Sequence, residues 1–276
     1  MPVVVLLVLV AVGSVVFHFL SPWWWTPIAS NWQYIDDTII ITFWITGFVF
    51  TTIVLFIAYC VFRFRHQEGS RAAYEPENKR LEWWLTIATS LGVAAMLAPG
   101  LFVWNKFVTV PPDAIEFEVV GQQWQWSFRL PGQDGRLGTS DTRYIGAGNS
   151  LGLNPADPNA QDDVVVDGGD LHLPVGRPVK LLLRSIDVLH DFYVPQFRAK
   201  MDMVPGLVTY FWFIPIRTGK FEILCAELCG VGHARMRGTV VVEEEHAYQA
   251  WLQKQQTFAQ IWARANERRE RRERAK

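Results

Sequence analysis

The stretch "CAELCGVGHARM", Cys225 to Met236, gathers two thiols, a carboxylate, an imidazole and a thioether within twelve residues. The chain has three cysteines, and two of them sit here, four apart. Three chemistries compete for this set. In an oxidising compartment Cys225 and Cys229 can close a disulfide, which leaves Glu227, His233 and Met236 as ordinary loop residues. A structural zinc ion can use two Cys and two His, but the ligands would form one continuous loop and Met236 would stay idle, because a thioether is a poor zinc ligand. Copper makes fuller use of thiolate, imidazole and thioether together. A mononuclear blue site needs a single Cys. With two thiolates, each can bridge two metal ions, and the pair can hold a dinuclear copper centre. Each ion then needs one imidazole and one weaker axial donor, and His233 supplies one imidazole.

The second imidazole must come from elsewhere in the chain. His190 in "SIDVLHDFYVP" is the better candidate. It stands at a strand end before a Pro-containing turn, among apolar Val188, Leu189, Phe192 and Tyr193. A histidine in such surroundings is also commonly a satisfied core residue. His172 in "GGDLHLPVG" is the rival, and it reads well as a surface histidine beside a turn.

The elements that must position these residues are β-strands. "AIEFEVVGQQWQWSFRL", "VVVDGGDLHLPVGRPVKLLLRS", "GLVTYFWFIPIRTGKFEILC" and "MRGTVVVE" are rich in β-branched and aromatic residues and are separated by Gly and Pro turns. Short strands at this spacing predict a Greek-key sandwich or barrel. "GTSDTRYIGAGNSLGLNPADPNAQDD" reads as loop. After Glu243 the pattern turns helical and ends in a mixed-charge, Arg-rich run, which reads as a solvated helix or as a contact with headgroups or a partner subunit.

Ahead of this domain, three stretches lack Lys, Arg, Asp and Glu for long enough to cross a bilayer: roughly 3–20, 38–62 and 83–104. The first is either a retained helix or a signal peptide with cleavage near Ala29. Arg63, Arg65, Arg71, Lys79 and Arg80 crowd the connection between the second and third, so that connection is expected in the cytoplasm and everything beyond about Asn105 outside. Trp23 to Trp25 and Trp104 fit interfacial anchors on the outer side. The expected organisation is therefore 1–37 as an apolar segment and linker, 38–105 as a transmembrane hairpin, 106–245 as the outer β-domain and 246–276 as a charged helix. The fold class is a membrane-anchored α plus all-β chain. Its formal net charge of −1 says little about partners, and no nucleic-acid partner is expected.

The motif Cys225-x-Glu227-x-Cys229-Gly230-x-x-His233-x-x-Met236, preceded by Asp187-Val-Leu-His190, resembles subunit II of haem–copper cytochrome c oxidase. The likeness runs from about Ile39 to Glu243 and includes "GQQWQWSF" and "VPG" at Val204 to Gly206. It implies a cupredoxin domain holding the dinuclear copper centre called CuA. Cys225 and Cys229 would bridge both coppers, and His190 and His233 would each bind one. Met236 would be axial to one copper and the main-chain carbonyl of Glu227 to the other. The Glu227 side chain would bind Mg²⁺ or Mn²⁺ at the junction with subunit I, a role against which stands a plain solvated loop Glu.

Further roles follow from the same resemblance. Trp124 matches the tryptophan that accepts the electron from cytochrome c, whereas its spacing of two from Trp126 by itself reads as two core aromatics on one strand face. The family often has His-Gln before it, and here stands Gln122-Gln123. Glu82 matches a carboxylate at the cytoplasmic mouth of a proton channel shared with subunit I, although an acid suits any helix start and the family's Trp-Thr is Leu85-Thr86 here. Asp134, Asp141, Asp157, Asp162, Asp163, Asp167, Asp170 and Asp191 are candidates to steer a basic cytochrome c.

The implied function is electron intake for a proton-pumping terminal oxidase in a bacterial cytoplasmic membrane, with subunits I and III, cytochrome c and lipid as partners. A membrane-anchored copper-delivery protein and a structural zinc protein are the alternatives. A covalent haem is not expected, because there is no Cys-x-x-Cys-His motif.

Overall fold

Long runs of Val, Leu, Ile, Phe and Thr with no charge can satisfy their backbone only as helices when water is scarce. The computed structural model, which describes residues 1–21, 26–71, 74 and 76–275, has three such helices: α1 (Pro2–Leu20), α2 (Gln33–Arg63) and α3 (Lys79–Val108). All three are long and apolar enough to cross a membrane. Their large apolar side chains are mostly exposed all round, as in a segment whose solvent is lipid. Hydroxyls inside them are satisfied locally: Thr42 and Thr46 each donate to the carbonyl four residues back, at 2.8 and 2.7 Å. Helix α2 begins before the uncharged run does, so Asp36 and Asp37 lie within its first turns. Trp23 to Trp25 lie outside the described residues; Trp104 is exposed in the last third of α3.

The remainder forms a second compact unit, Pro27–Gln33 with Lys106–Lys276. Ten strands make two five-stranded sheets. In chain order they are β1 (Ile115–Gln122), β2 (Gln125–Leu130), β3 (Val164–Asp167), β4 (Leu171–Pro174), β5 (Val179–Ser185), β6 (His190–Val194), β7 (Ala199–Met203), β8 (Thr209–Phe213), β9 (Gly219–Cys225) and β10 (Arg237–Glu243). One sheet runs β3-β2-β1-β5-β8 and the other β4-β10-β9-β6-β7. Two pairings, β1 with β5 and β10 with β4, are parallel, and the others are antiparallel. Alternation along β5, in which Val179, Leu181, Leu183 and Ser185 are buried, shows the period of two that turns one face inward. Phe117, Phe128, Phe192, Phe211 and Phe213 fill the core.

Three features depart from a plain strand-and-loop domain. The segment 27–33 joins the β-unit: Ala29 N–H donates to the Gln196 carbonyl at 2.7 Å and the Ala29 carbonyl accepts from Ile216 N–H at 2.9 Å. Trp32 is buried there, its indole edge on Trp212 and its Nε1 donating to the Trp212 carbonyl at 2.8 Å. The long loop carries a short helix, α4 (Pro158–Gln161), capped by Asp157. The helical tail is two helices, α5 (Glu245–Leu252) and α6 (Phe258–Arg274), the second started by a reciprocal capping box of Thr257 and Gln260.

Candidate metal centre

Strand pairing decides which side chains meet. Residues 226–236 connect β9 to β10, and β6 lies against β9 with Phe192 opposite Cys225. That register carries His190 to the base of the loop. Cys225 N–H donates to the Met236 carbonyl at 3.3 Å and Ala226 N–H to the Asp191 carbonyl at 3.2 Å, so both ends of the loop are tied to the sheet.

The donor atoms then converge. Cys225 and Cys229 are free thiols with sulfurs 3.7 Å apart. His190 Nδ1 lies 3.9 Å from the Cys225 sulfur, and His233 Nδ1 lies 3.6 Å from that of Cys229. Met236 Sδ is 3.8 Å from Cys229, and the Glu227 carbonyl oxygen is 3.2 Å from Cys225. Metal–sulfur bonds of about 2.3 Å and metal–nitrogen bonds of about 2.0 Å, at a tetrahedral angle, space donors by about 3.5–3.8 Å. The sulfur–sulfur, Cys229–His233 and Cys229–Met236 separations have that spacing, and the other two lie within 0.3 Å of it. The set also has two poles, His190 with Glu227 beside one sulfur and His233 with Met236 beside the other. Burial, and after it the neighbouring Cys225, pushes the Cys229 thiol up to about 11. Two thiolates side by side are disfavoured without a cation between them, and a metal supplies that cation. The residues therefore fit soft metal ions.

Behind the donors stand Asp187 and Gln123, whose contacts only the fold shows. Asp187 Oδ1 lies 2.8 Å from His190 Nε2, fixing the ring so that Nδ1 faces the sulfur. Asp187 also accepts from the N–H groups of Gln123 at 2.6 Å and Val188 at 2.7 Å. Its carboxyl is held below the usual range: burial opposes this, and the hydrogen bonds from Gln123, His190 and Val188 outweigh it. The signal in the sequence was a carboxylate three residues before the histidine. Gln123 reaches the loop as well, its Nε2 donating to the Cys229 carbonyl at 2.8 Å.

Trp124 and Trp126 do not share a strand face, as spacing alone would have it. β1 ends at Gln122 and β2 starts at Gln125, so Trp124 sits in the turn and Trp126 in the strand. Trp126 is buried edge-on to Phe192, at 5.6 Å between centroids. Trp124 is 37% exposed and covers the metal loop, with Nε1 donating to the Cys229 carbonyl at 3.2 Å. The loop is shaped for it: a Cβ on Gly232 would stand 2.3 Å from Trp124 Cδ2. His172 is not at this site; it stacks on Trp251 at 4.0 Å and meets Glu243 at 3.2 Å. Glu82 belongs to the first turn of α3, in the other unit.

Two of the acids expected to face a donor are buried instead. Asp163 holds Arg129 at 2.9 Å within the domain. Asp191 is buried with neither carboxylate oxygen hydrogen-bonded among the described residues. Burial, and then Asp202 across the strand pair, raises its carboxyl to about 7. Of the others, Asp141 is occupied by Arg143 at 2.8 Å, and Asp157 caps α4 and accepts from Thr139.

Comparison with known proteins places this arrangement. Residues 115–244 match the family model described as "Cytochrome C oxidase subunit II, periplasmic domain". The chain is 70% identical to "Alternative cytochrome c oxidase subunit 2" of Bradyrhizobium diazoefficiens, over 96% of this chain and 95% of that one. It is 29% identical to "Cytochrome c oxidase subunit 2" of Cereibacter sphaeroides, over 83% of this chain and 77% of that one. Among solved structures, the periplasmic domain of subunit II of cytochrome oxidase (CoxB) of Bradyrhizobium japonicum is 26% identical, covers 52% of this chain and 95% of that chain, and has a TM-score of 0.39.

Proposed function

This chain belongs to the cytochrome c oxidase subunit II family, and from that premise we propose that it is the electron-accepting subunit of a haem–copper oxidase. It takes single electrons from reduced cytochrome c and passes them to haem in subunit I, where oxygen is reduced to water with proton pumping. The observation that carries this reading is the two-pole donor set around the Cys225 and Cys229 sulfurs.

Cys225, Cys229, His190, His233, Met236 and the Glu227 carbonyl would hold a dinuclear copper centre. When bound, such a pair supplies a one-electron acceptor whose charge change is shared between two ions. The protein's part is orientation and rigidity. Asp187 fixes the His190 ring, the β6–β9 and β9–β10 ladders fix both ends of the loop, and little movement is left to the donors. Trp124 offers an indole that is partly open to solvent and hydrogen-bonded to the Cys229 carbonyl, which supports its role as the electron acceptor from cytochrome c.

Finer assignments belong to the same proposal. The Glu227 carboxylate holds Mg²⁺ or Mn²⁺ at the contact with subunit I. Glu82 marks the cytoplasmic mouth of a proton path. The chain spans a bacterial cytoplasmic membrane several times, with the basic 63–80 connection inside and the β-unit outside, beside subunits I and III. The proposed organisation is 1–37, 38–105, 106–245 and 246–276, with 27–33 contributing to the outer domain.

The test is a metal count and an absorption spectrum on the purified oxidase, with Cys225→Ser and His190→Ala beside the wild type. Two coppers per chain at this site, a purple near-infrared-absorbing centre and loss of cytochrome c oxidation in both variants are expected. A colourless chain with one zinc, or full oxygen uptake by both variants, would sink the reading.

A further inference from the structure

The arginine-rich tail is not simply a solvated helix. Phe258, Ile261, Trp262 and Ala265 recur at helical spacing along one face of α6. Phe258 is buried with Val120, Leu151 and Leu153, and Trp262 packs against the same cluster. Gly148 approaches so closely that a Cβ there would stand 2.3 Å from that of Ala265. The helix is therefore seated on the domain, and its direction is fixed.

Seating it opens a groove of about 890 Å³ between α6 and the 143–148 loop. Arg264, Arg268, Arg269 and Arg272 line one wall and Arg143 stands on the other. Arg143 is engaged by Asp141, at 3.1 and 2.8 Å. The four on α6 form no ion pair among the described residues, although Glu270 on the same helix takes Arg274 at 3.5 Å. Between Phe258 and Arg274 stand six arginines against three glutamates. The α6 wall carries four planar guanidinium forks beside a single carboxylate, Glu273, an excess of positive charge that a ligand of opposite charge would match.

We propose that this groove docks an acidic segment of a partner protein, an Asp/Glu-rich chain laid along the arginine wall. A single phosphate is too small for it, because Arg264 to Arg272 spans about 12 Å at 1.5 Å per residue. A bilayer surface fits less well, because an interfacial helix needs a free apolar face and the apolar face of α6 is already used against the domain. The groove contains none of the metal donors, so this inference stands apart from the copper reading.

The experiment uses the full chain in nanodiscs of zwitterionic lipid and a fluorescent Glu-rich peptide followed by anisotropy. The wild type should bind the peptide, more weakly as salt rises. R268E/R272E should weaken binding by about tenfold or more, equivalent to at least about 1.4 kcal/mol. R271E/R274E reverses two exposed charges outside the groove and should leave affinity within about twofold, as surface charges away from a site do. R268Q/R272Q, checked by circular dichroism, separates loss of charge from loss of the helix and should also weaken binding. Equal weakening by both reversal pairs, absence of peptide binding, or tighter capture by phosphatidylglycerol vesicles than by the peptide would overturn the proposal.

Discussion

Gly232 and Trp124 are the two residues whose contact joins the surface to the metal loop. A side chain at 232 and the Trp124 ring cannot occupy the same space, the separation being 2.3 Å. Gly232→Ala should therefore displace the indole and break its hydrogen bond to the Cys229 carbonyl, while leaving all donor side chains in place. Overpacking of this kind costs about 1–3 kcal/mol. The expected outcome is a normal copper count with electron intake from cytochrome c slowed by about tenfold or more, since misplacing a reacting group by a fraction of its size is costly. Stopped-flow reduction of the copper centre reads it, and an unchanged rate would show that Trp124 is not the acceptor. At this scale much was legible, because Cys225, Glu227, Cys229, His233 and Met236 are neighbours in the chain. His190 was legible only as one of two candidates. Asp187 and Gln123 gained their importance from contacts 64 and 106 residues away in sequence, which local pattern does not contain.

Among the elements, the short segment before α2 carries the clearest lesson. Residues 27–33 read as a linker, yet Ala29, Ser30 and Trp32 are buried against β8 and the turn after β6. Trp32 packs edge-on to Trp212 at 5.0 Å and tilted against Phe107 at 5.1 Å. Trp32→Ala should destabilise the β-unit by about 3–5 kcal/mol, as buried Trp truncations do. A thermal or urea melt of the purified full chain measures it; a loss under about 1 kcal/mol would mean that the segment is a surface strap and not part of the core. The strands themselves were legible because alternation and Gly/Pro turns are local. The split of the tail into α5 and α6 was not, since both halves share one helical texture.

For the whole β-unit, a buried charge network links the first sheet to the long loop. Arg129 meets Glu118 and Asp163, each at 2.9 Å, and Arg184 meets Glu118 at 3.2 Å. Arg129 also donates to the Gly138 carbonyl at 2.6 Å and Arg184 to that of Leu151 at 2.7 Å, so β1, β2, β5 and the loop are held together. Arg129→Ala leaves Asp163 buried without its cation and Glu118 with Arg184 alone, and should cost about 3–5 kcal/mol. Replacing the network with apolar residues of similar volume should cost much less, and denaturant melts of both variants test the difference. The metal site should still load in the folded fraction, because none of its donors belongs to this network.

The sequence by itself determined the family likeness, three apolar spans, a strand-rich outer domain and a compact ligand loop, because each of these is written in neighbouring residues. Only the tertiary structure decided which histidine faces the sulfurs, that Trp124 rather than Trp126 lies over the loop, that Asp163 and Asp191 are buried, and that 27–33 belongs to the outer domain. Those outcomes depend on strand register and long-range packing, which bring together residues that the chain keeps far apart.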